Sequence, residues 1–264
     1  MGIGPDAFAQ LVDLSTRYTG SGRSLMLGRQ AFRLGQGNKR KVTDPSLYQA
    51  VLDKFGIKVD AAAMKQDDSY AETMFKDLGF GAIESMDYSG YQNATHVWDL
   101  NKPVPTDLHG QFDFIFDGGT LEHVFNVPQA FENVFNMLSV GGVFVGLNPY
   151  NGFPSHGMYQ FAPELIWTYW KHSCGCDVRT CRAMGREGKY LRDLPDPTEL
   201  GGRINIKIGA AWRGRLPSSQ MMLVYEVQKT AQSRLASDVQ QSDYVATWDN
   251  SAAAEKTMTQ EHLT

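Results

Sequence analysis

Residues 112–124 read Phe-Asp-Phe-Ile-Phe-Asp-Gly-Gly-Thr-Leu-Glu-His-Val. A short apolar run that stops at an aspartate and two glycines reads as a buried strand feeding a turn. Residues 127–138 then put Ala130, Phe131, Val134, Phe135 and Leu138 in helical phase, with Pro128 at the opening, where a missing N–H is no loss. Gly141-Gly142 closes the turn after that helix, and residues 143–147 form a second apolar run broken at Asn148-Pro149. Strand, helix and strand in succession predict parallel strands joined by a crossover.

Working outward, the same alternation continues. Residues 24–30 form a strand stopped at Gly28, preceded by a helix that opens at Pro5-Asp6, carries Phe8, Leu11, Val12 and Ser15 in phase, and ends near Gly20. Further apolar runs at 82–86 and 95–98 end, like 112–116, at an aspartate: Asp87, Asp99 and Asp117 respectively. Helices are predicted over 45–55 and 69–78, the latter with Tyr70, Met74, Phe75 and Leu78 on one side. After an aromatic-rich helix at 163–170, strands at 177–183 and 221–227 have no helix between them and are expected to pair antiparallel. The fold class is therefore α/β, a doubly wound and mostly parallel sheet over residues 1–229, with a helical insertion at about 31–81. Residues 230–264 are small and polar with weak periodicity, and are expected to form a flexible tail.

In such sheets, ligands bind beyond the carboxyl ends of the strands, where strand order reverses. A carboxylate there can accept both hydroxyls of a ribose, or the exocyclic amine of adenine, which makes Asp87 and Asp99 candidates. Aspartate at a strand end is also a common turn device, so the series of three says more than any member.

The 264 residues are 42% hydrophobic and 20% charged, enough apolar material for one large core. With 25 basic and 29 acidic residues the net charge is -4, which argues against a protein built to neutralise nucleic-acid phosphates and favours a small-molecule partner. No apolar run approaches membrane length, so a soluble, cytoplasmic protein without a membrane partner is expected. Cys174, Cys176 and Cys181 are an odd number in one segment and no disulfide framework; with His172 they lack paired halves of a zinc site, and no metal is expected. Lys39-Arg40-Lys41 reads as a solvated patch, and Gly35-x-Gly37 lacks the Gly-Lys-Ser/Thr of a phosphate loop.

Residues 112–124 resemble the fourth strand and following Glu-His-Val segment of the class I S-adenosylmethionine-dependent methyltransferases. Residues 136–145 are similar to that family's helix, Leu-x-x-Gly-Gly turn and fifth strand. Residues 148–165, with Asn-Pro-Tyr-Asn and His156, resemble the acceptor-side loop of members that modify glycans or small metabolites. The resemblance implies a seven-stranded Rossmann-like sheet with an antiparallel last strand, S-adenosylmethionine as cofactor, and methyl transfer to oxygen or nitrogen of a small-molecule or glycan-like acceptor. It places the cofactor against Gly28, Arg29, Asp87, Tyr88, Asp99, Leu100, Asp117 and Gly118. His123 and His156 become candidate bases, and Tyr150 and Tyr159 candidate acceptor contacts. The departure is the loop after the first strand, where the family shows Gly-x-Gly-x-Gly and only Gly28 stands. An alternative is a methyltransferase fold kept for binding or assembly without catalysis. A nicotinamide-dependent enzyme fits less well, because Gly-x-Gly-x-x-Gly is absent. The insertion is open to two roles, a lid or a contact within a homo-oligomer.

Overall fold

The computed structural model describes residues 2–20, 22–35, 44–185, 191–200 and 220–261. The basic triplet 39–41 and Gly37 lie outside them.

One eight-stranded sheet organises the chain: β1 (Arg23–Leu27), β2 (Ile83–Asp87), β3 (His96–Val97), β4 (Phe112–Asp117), β5 (Leu138–Asn151), β6 (Asp177–Gly185), β7 (Leu191–Asp193) and β8 (Met221–Gln228). They lie in the order β3-β2-β1-β4-β5-β8-β6-β7. β1 pairs in parallel with β2 on one side and β4 on the other, so strand order reverses at the β1/β4 boundary. β8 runs antiparallel between β5 and β6, the pairing expected of two strands with no crossover helix. The short β7 hairpins onto β6 and makes the eighth strand, one more than the sequence suggests.

Helices cover both faces. α1 (Pro5–Ser15), α2 (Pro45–Lys54) and α3 (Glu72–Phe75), which runs on as a widened turn through Lys76–Phe80, lie on one. α4 (Val127–Met137) and α5 (Pro163–Ile166), extended by the wide turn Trp167–Ser173, lie on the other. α1 stops at Ser15, short of Gly20, because the Ser15 and Thr16 hydroxyls donate to the carbonyls of Val12 and Asp13 and end the ladder. Asn126 caps α4 by accepting from the Gln129 N–H at 3.4 Å.

The period-2 pattern of β4 sorts its side chains. Ile115 faces the layer with Phe131, Phe144 and Trp170, while Phe114 and Phe116 face Phe8, Phe75 and Phe80. Each fully buried ring contributes about 1.5–3 kcal/mol, so the sheet is anchored from both sides. Much of that second layer comes from the described part of the insertion: Phe32, Tyr48, Met64, Met74 and Phe75 share one buried cluster with Met26 and Phe114. It is a structural layer of the sandwich.

Residues 230–242, in the segment expected to be a tail, hydrogen-bond to the body of the fold. The Ser233 hydroxyl donates to the Gly175 carbonyl at 3.0 Å, the Arg234 N–H to the Cys174 carbonyl at 2.9 Å, and the Ser242 N–H to Glu164 Oε1 at 2.7 Å. Such polar docking leaves no hydrophobic periodicity to read. α6 (Ser242–Glu261) follows. Among the described residues no helix is long and apolar enough to cross a membrane.

Candidate functional site

At the carboxyl end of β4, Asp117 is fully buried. Its Oδ1 accepts the N–H groups of Gly119 (3.1 Å) and Thr120 (2.7 Å), closing a turn that needs Gly119 at φ 104°. The chain then makes a single tight turn, Leu121–His123, that sends Glu122 inward and His123 outward: the Glu122 side chain is 0% exposed and that of His123 49%.

Asn148 on β5 ties the two carboxylates together. Its amide donates to Asp117 Oδ2 at 2.7 Å and to Glu122 Oε2 at 3.0 Å, while its oxygen accepts the Tyr225 hydroxyl at 2.7 Å. Tyr225 reaches across β5 because its register partner is Gly146, where a Cβ would lie 2.2 Å from the tyrosine ring. Burial, then the charge of Glu122, raises the pKa of Asp117; burial raises that of Glu122 as well.

The loop after β5 folds back onto this network. Met158 N–H donates to the Glu122 carbonyl at 2.8 Å, and Gly157 (φ 70°) passes so close that a Cβ would lie 2.8 Å from Glu122 Cγ. The result places His156 Nε2 3.5 Å and His123 Nε2 3.8 Å from Glu122 Oε1. Neither Glu122 Oε1 nor His156 Nε2, both buried, has a hydrogen-bond partner among the described residues. Burial and then the neighbouring His156 hold the His123 pKa below the usual imidazole range, leaving it neutral near pH 7.

Across the β1/β4 boundary, Asp87 ends β2, half-buried, and its carboxylate accepts no hydrogen bond from the described residues. Tyr88 beside it is 75% exposed. Asp99 follows β3 but builds a turn: its Oδ1 accepts the Asn101 N–H at 3.0 Å and amide at 2.8 Å, and Asn101 receives the Asn126 N–H in front of α4. Leu100 is buried beneath that turn.

Gly28 leaves β1 at φ 66°, so close to β4 that a Cβ would lie 2.6 Å from Thr120 Oγ1, whose hydroxyl donates to the Leu27 carbonyl. Arg29, next along the chain, is engaged by internal partners. Its guanidinium bonds Glu72 at 2.6 Å, Asp68 at 2.7 Å and the Gln92 carbonyl at 3.1 Å, and lies over the Tyr70 ring. That compensates its charge within the protein, and its observed work is to pin the insertion to β1. Gln30, which the sequence reading passed over, is buried with its amide on the Leu27 carbonyl and its Oε1 unpartnered; a Cβ on Gly118 would meet that oxygen at 2.7 Å.

Tyr150 is half-buried against the core, and Tyr159 donates to the Phe125 carbonyl at 2.8 Å, fixing the loop after β5. The structure thus brings His123, His156 and Asp117 together, places Asp87 and Gly118 on the same rim, and gives Asp99 and Arg29 internal partners. Glu122, Asn148 and Tyr225 complete the cluster. Asn148-Pro149, expected to break the strand, lies within β5, which runs on to Asn151; nothing in the sequence marks Tyr225. His172 turns to Asp196 at 2.9 Å, and the three cysteines are buried and free.

No family model and no curated protein matches the chain. Among solved structures it is similar to Haemonchus contortus phosphoethanolamine N-methyltransferase 2, with 12% identity over 86% of this chain and 54% of that one and a TM-score of 0.43. It is also similar to the [4+2]-cyclase SpnF (12% identity, 84% and 80% covered, TM-score 0.41). A third is a SAM-dependent methyltransferase from Archaeoglobus fulgidus (12%, 83% and 92%, 0.40). These are distant likenesses; the doubly wound class rests on the strand order itself.

Proposed function

We propose that the chain binds S-adenosylmethionine at the carboxyl-end rim of its sheet and transfers the methyl group to oxygen or nitrogen of a small-molecule or glycan-like acceptor. The observation that carries this reading is the pairing of two unsatisfied sets across the β1/β4 boundary: the Asp87 carboxylate on one side, and Glu122 with His156 on the other. Ligands of open α/β sheets sit at such a boundary.

The residues present fit the cofactor. Asp87 has the free acceptors that a ribose diol needs, with Tyr88 and Leu100 beside the base. The orphaned Gln30 Oε1, lying against Gly118, suits the amino group of the methionine part. When bound, the cofactor supplies a methyl on a sulfonium, already a good leaving centre. The protein's work is alignment, exclusion of water and removal of a proton from the acceptor. His123, neutral and half-exposed, accepts that proton at Nε2, with His156 behind it and Tyr150 and Tyr159 shaping the acceptor side.

Calorimetric titration with S-adenosylhomocysteine tests the reading. A Kd in the micromolar range, about -8 kcal/mol, is expected. Lack of binding near millimolar concentration overturns it and supports the alternative, a fold kept for binding or assembly, which the close packing of Thr120 and Gln30 on the Gly28 turn favours.

A further inference from the structure

We infer that Glu122, His123 and His156 form a binding site for one divalent transition-metal ion, held by one carboxylate oxygen and two imidazole nitrogens. The three ligand-capable atoms lie within 4.8 Å of one another. In tetrahedral coordination with bonds of about 2.1 Å, neighbouring ligand atoms stand about 3.4 Å apart. The observed 3.5 Å and 3.8 Å from Glu122 Oε1 are within a few tenths of that spacing.

Burial gives the second, independent argument. Glu122 Oε1 belongs to a side chain that is 0% exposed and has no hydrogen-bond partner, and His156 Nε2 facing it is an orphan too. Buried polar atoms are nearly always paired, and two orphans 3.5 Å apart call for a shared partner. A proton alone bridges one pair. A cation satisfies both and also engages His123. The charge agrees: Asp117 and Glu122 are buried carboxylates whose shared partner is the neutral Asn148 amide, and no cationic side chain of the described residues bonds either. A divalent ion supplies that missing compensation.

The surroundings are those of a held ligand set. Glu122 Oε2 is fixed by Asn148, which is fixed by Tyr225, and the Glu122 carbonyl anchors the loop that carries His156. Outer partners of this kind orient metal ligands and raise affinity. Imidazole and carboxylate together suit zinc or iron(II), and three protein ligands on a partly exposed face leave positions for an exogenous oxygen. With the ion present, His123 and His156 are ligands and neither takes the proton; an acceptor hydroxyl bound to the ion would be acidified by it and lose its proton to solvent water.

The test uses untagged full-length protein, dialysed against a chelator and titrated separately with Zn²⁺ and Co²⁺. One ion per chain is expected, with cobalt d–d bands and no thiolate charge-transfer band. His123→Ala and His156→Ala should each weaken binding by at least about tenfold, the loss that even an outer partner's removal produces. His123 is half-exposed, so its variant keeps the fold, checked by circular dichroism. Absence of saturable binding, equal affinity in all three proteins, or a thiolate band that puts the ion on the cysteines overturns the inference. No S-adenosyl compound enters this experiment, so its failure and a failure of the methyl-transfer reading are separate results.

Discussion

Asn148→Ala cuts the knot of the site, and its cost follows from the bonds it removes. The amide is shared by two buried carboxylates at 2.7 and 3.0 Å, and its oxygen is the acceptor for a buried tyrosine hydroxyl at 2.7 Å. Hydrogen bonds to charged groups are worth about 1.5–3 kcal/mol each, and a stranded hydroxyl costs about 1–3 kcal/mol, so after partial relaxation we expect a loss of about 3–5 kcal/mol. That is a large share of the roughly 5–15 kcal/mol of a typical domain, and should lower Tm by about 6–20 °C. Tyr225→Phe removes one bond and should cost only about 1–2 kcal/mol. In an Asn148→Ala background the tyrosine change should instead recover part of the cost of the stranded hydroxyl, giving a coupling of about 1 kcal/mol or more. Urea unfolding of the chelator-treated protein, followed by tryptophan fluorescence at constant m-value, measures all four corners of the cycle. A single-mutant loss below about 0.5 kcal/mol, or zero coupling, would refute the network as drawn.

Asp87→Ala should weaken S-adenosylhomocysteine by about 1–3 kcal/mol in the same calorimetry that tests the parent; unchanged affinity removes Asp87 from the site. Arg29→Ala should lower stability to urea by about 1–2 kcal/mol, because it removes the guanidinium bonds to Asp68, Glu72 and the Gln92 carbonyl while Gln66 still holds both carboxylates; intact stability with lost cofactor affinity would return Arg29 to a binding role. Glu84, gripped by both Arg23 nitrogens at 2.7 and 2.8 Å and then by His96, has its pKa held below 4.5. A depressed carboxylate stabilises the fold above its ordinary pKa and loses that contribution as pH falls through the folded value. Wild type should therefore lose about 0.5–1 kcal/mol below pH 4.5 that Glu84→Gln does not lose, and parallel acid-unfolding curves would sink the assignment. Gly146→Ala puts a Cβ 2.2 Å from the Tyr225 ring and should destabilise by about 1–3 kcal/mol; wild-type stability would show that the ring moves freely.

The sheet was legible because its strands are short apolar runs closed by Asp or Gly, and its crossover helix keeps strict phase from Ala130 to Phe135. Two elements escaped for definite reasons. β7 is three residues long, all exposed, and has no apolar pattern to report. The Gly141-Gly142 pair, read as a turn between helix and strand, lies within β5: Leu138 already pairs with Phe112, and the chain bulges until Val143 meets Phe114, with Gly141 at φ 88°. Glycine spacing alone cannot separate a turn from a bulge, since both ask for the same backbone freedom.

The site was legible only where the chain itself brings groups together. Glu122 and His123 are neighbours in sequence, yet a tight turn points one inward and the other outward, so their adjacency hid that they do different work. His156 reaches the cluster through two backbone bonds onto the Glu122 carbonyl and the close pass of Gly157, contacts that any sequence with a flexible loop could make or miss. Tyr225 depends on the register of β8 against β5, which sets it opposite the one position, Gly146, that leaves it room. Asp99 and Arg29 show the converse. A carboxylate at a strand end and an arginine after the first glycine carry the right chemistry for a ligand, but Asn101 in the first case and the Asp68/Glu72 pair in the second lie close enough to claim them. What separates the two groups is satisfaction. Asp87, Gln30, Glu122 and His156 hold atoms that the described protein leaves unpaired, and in a folded chain those are the positions at which a ligand is worth testing.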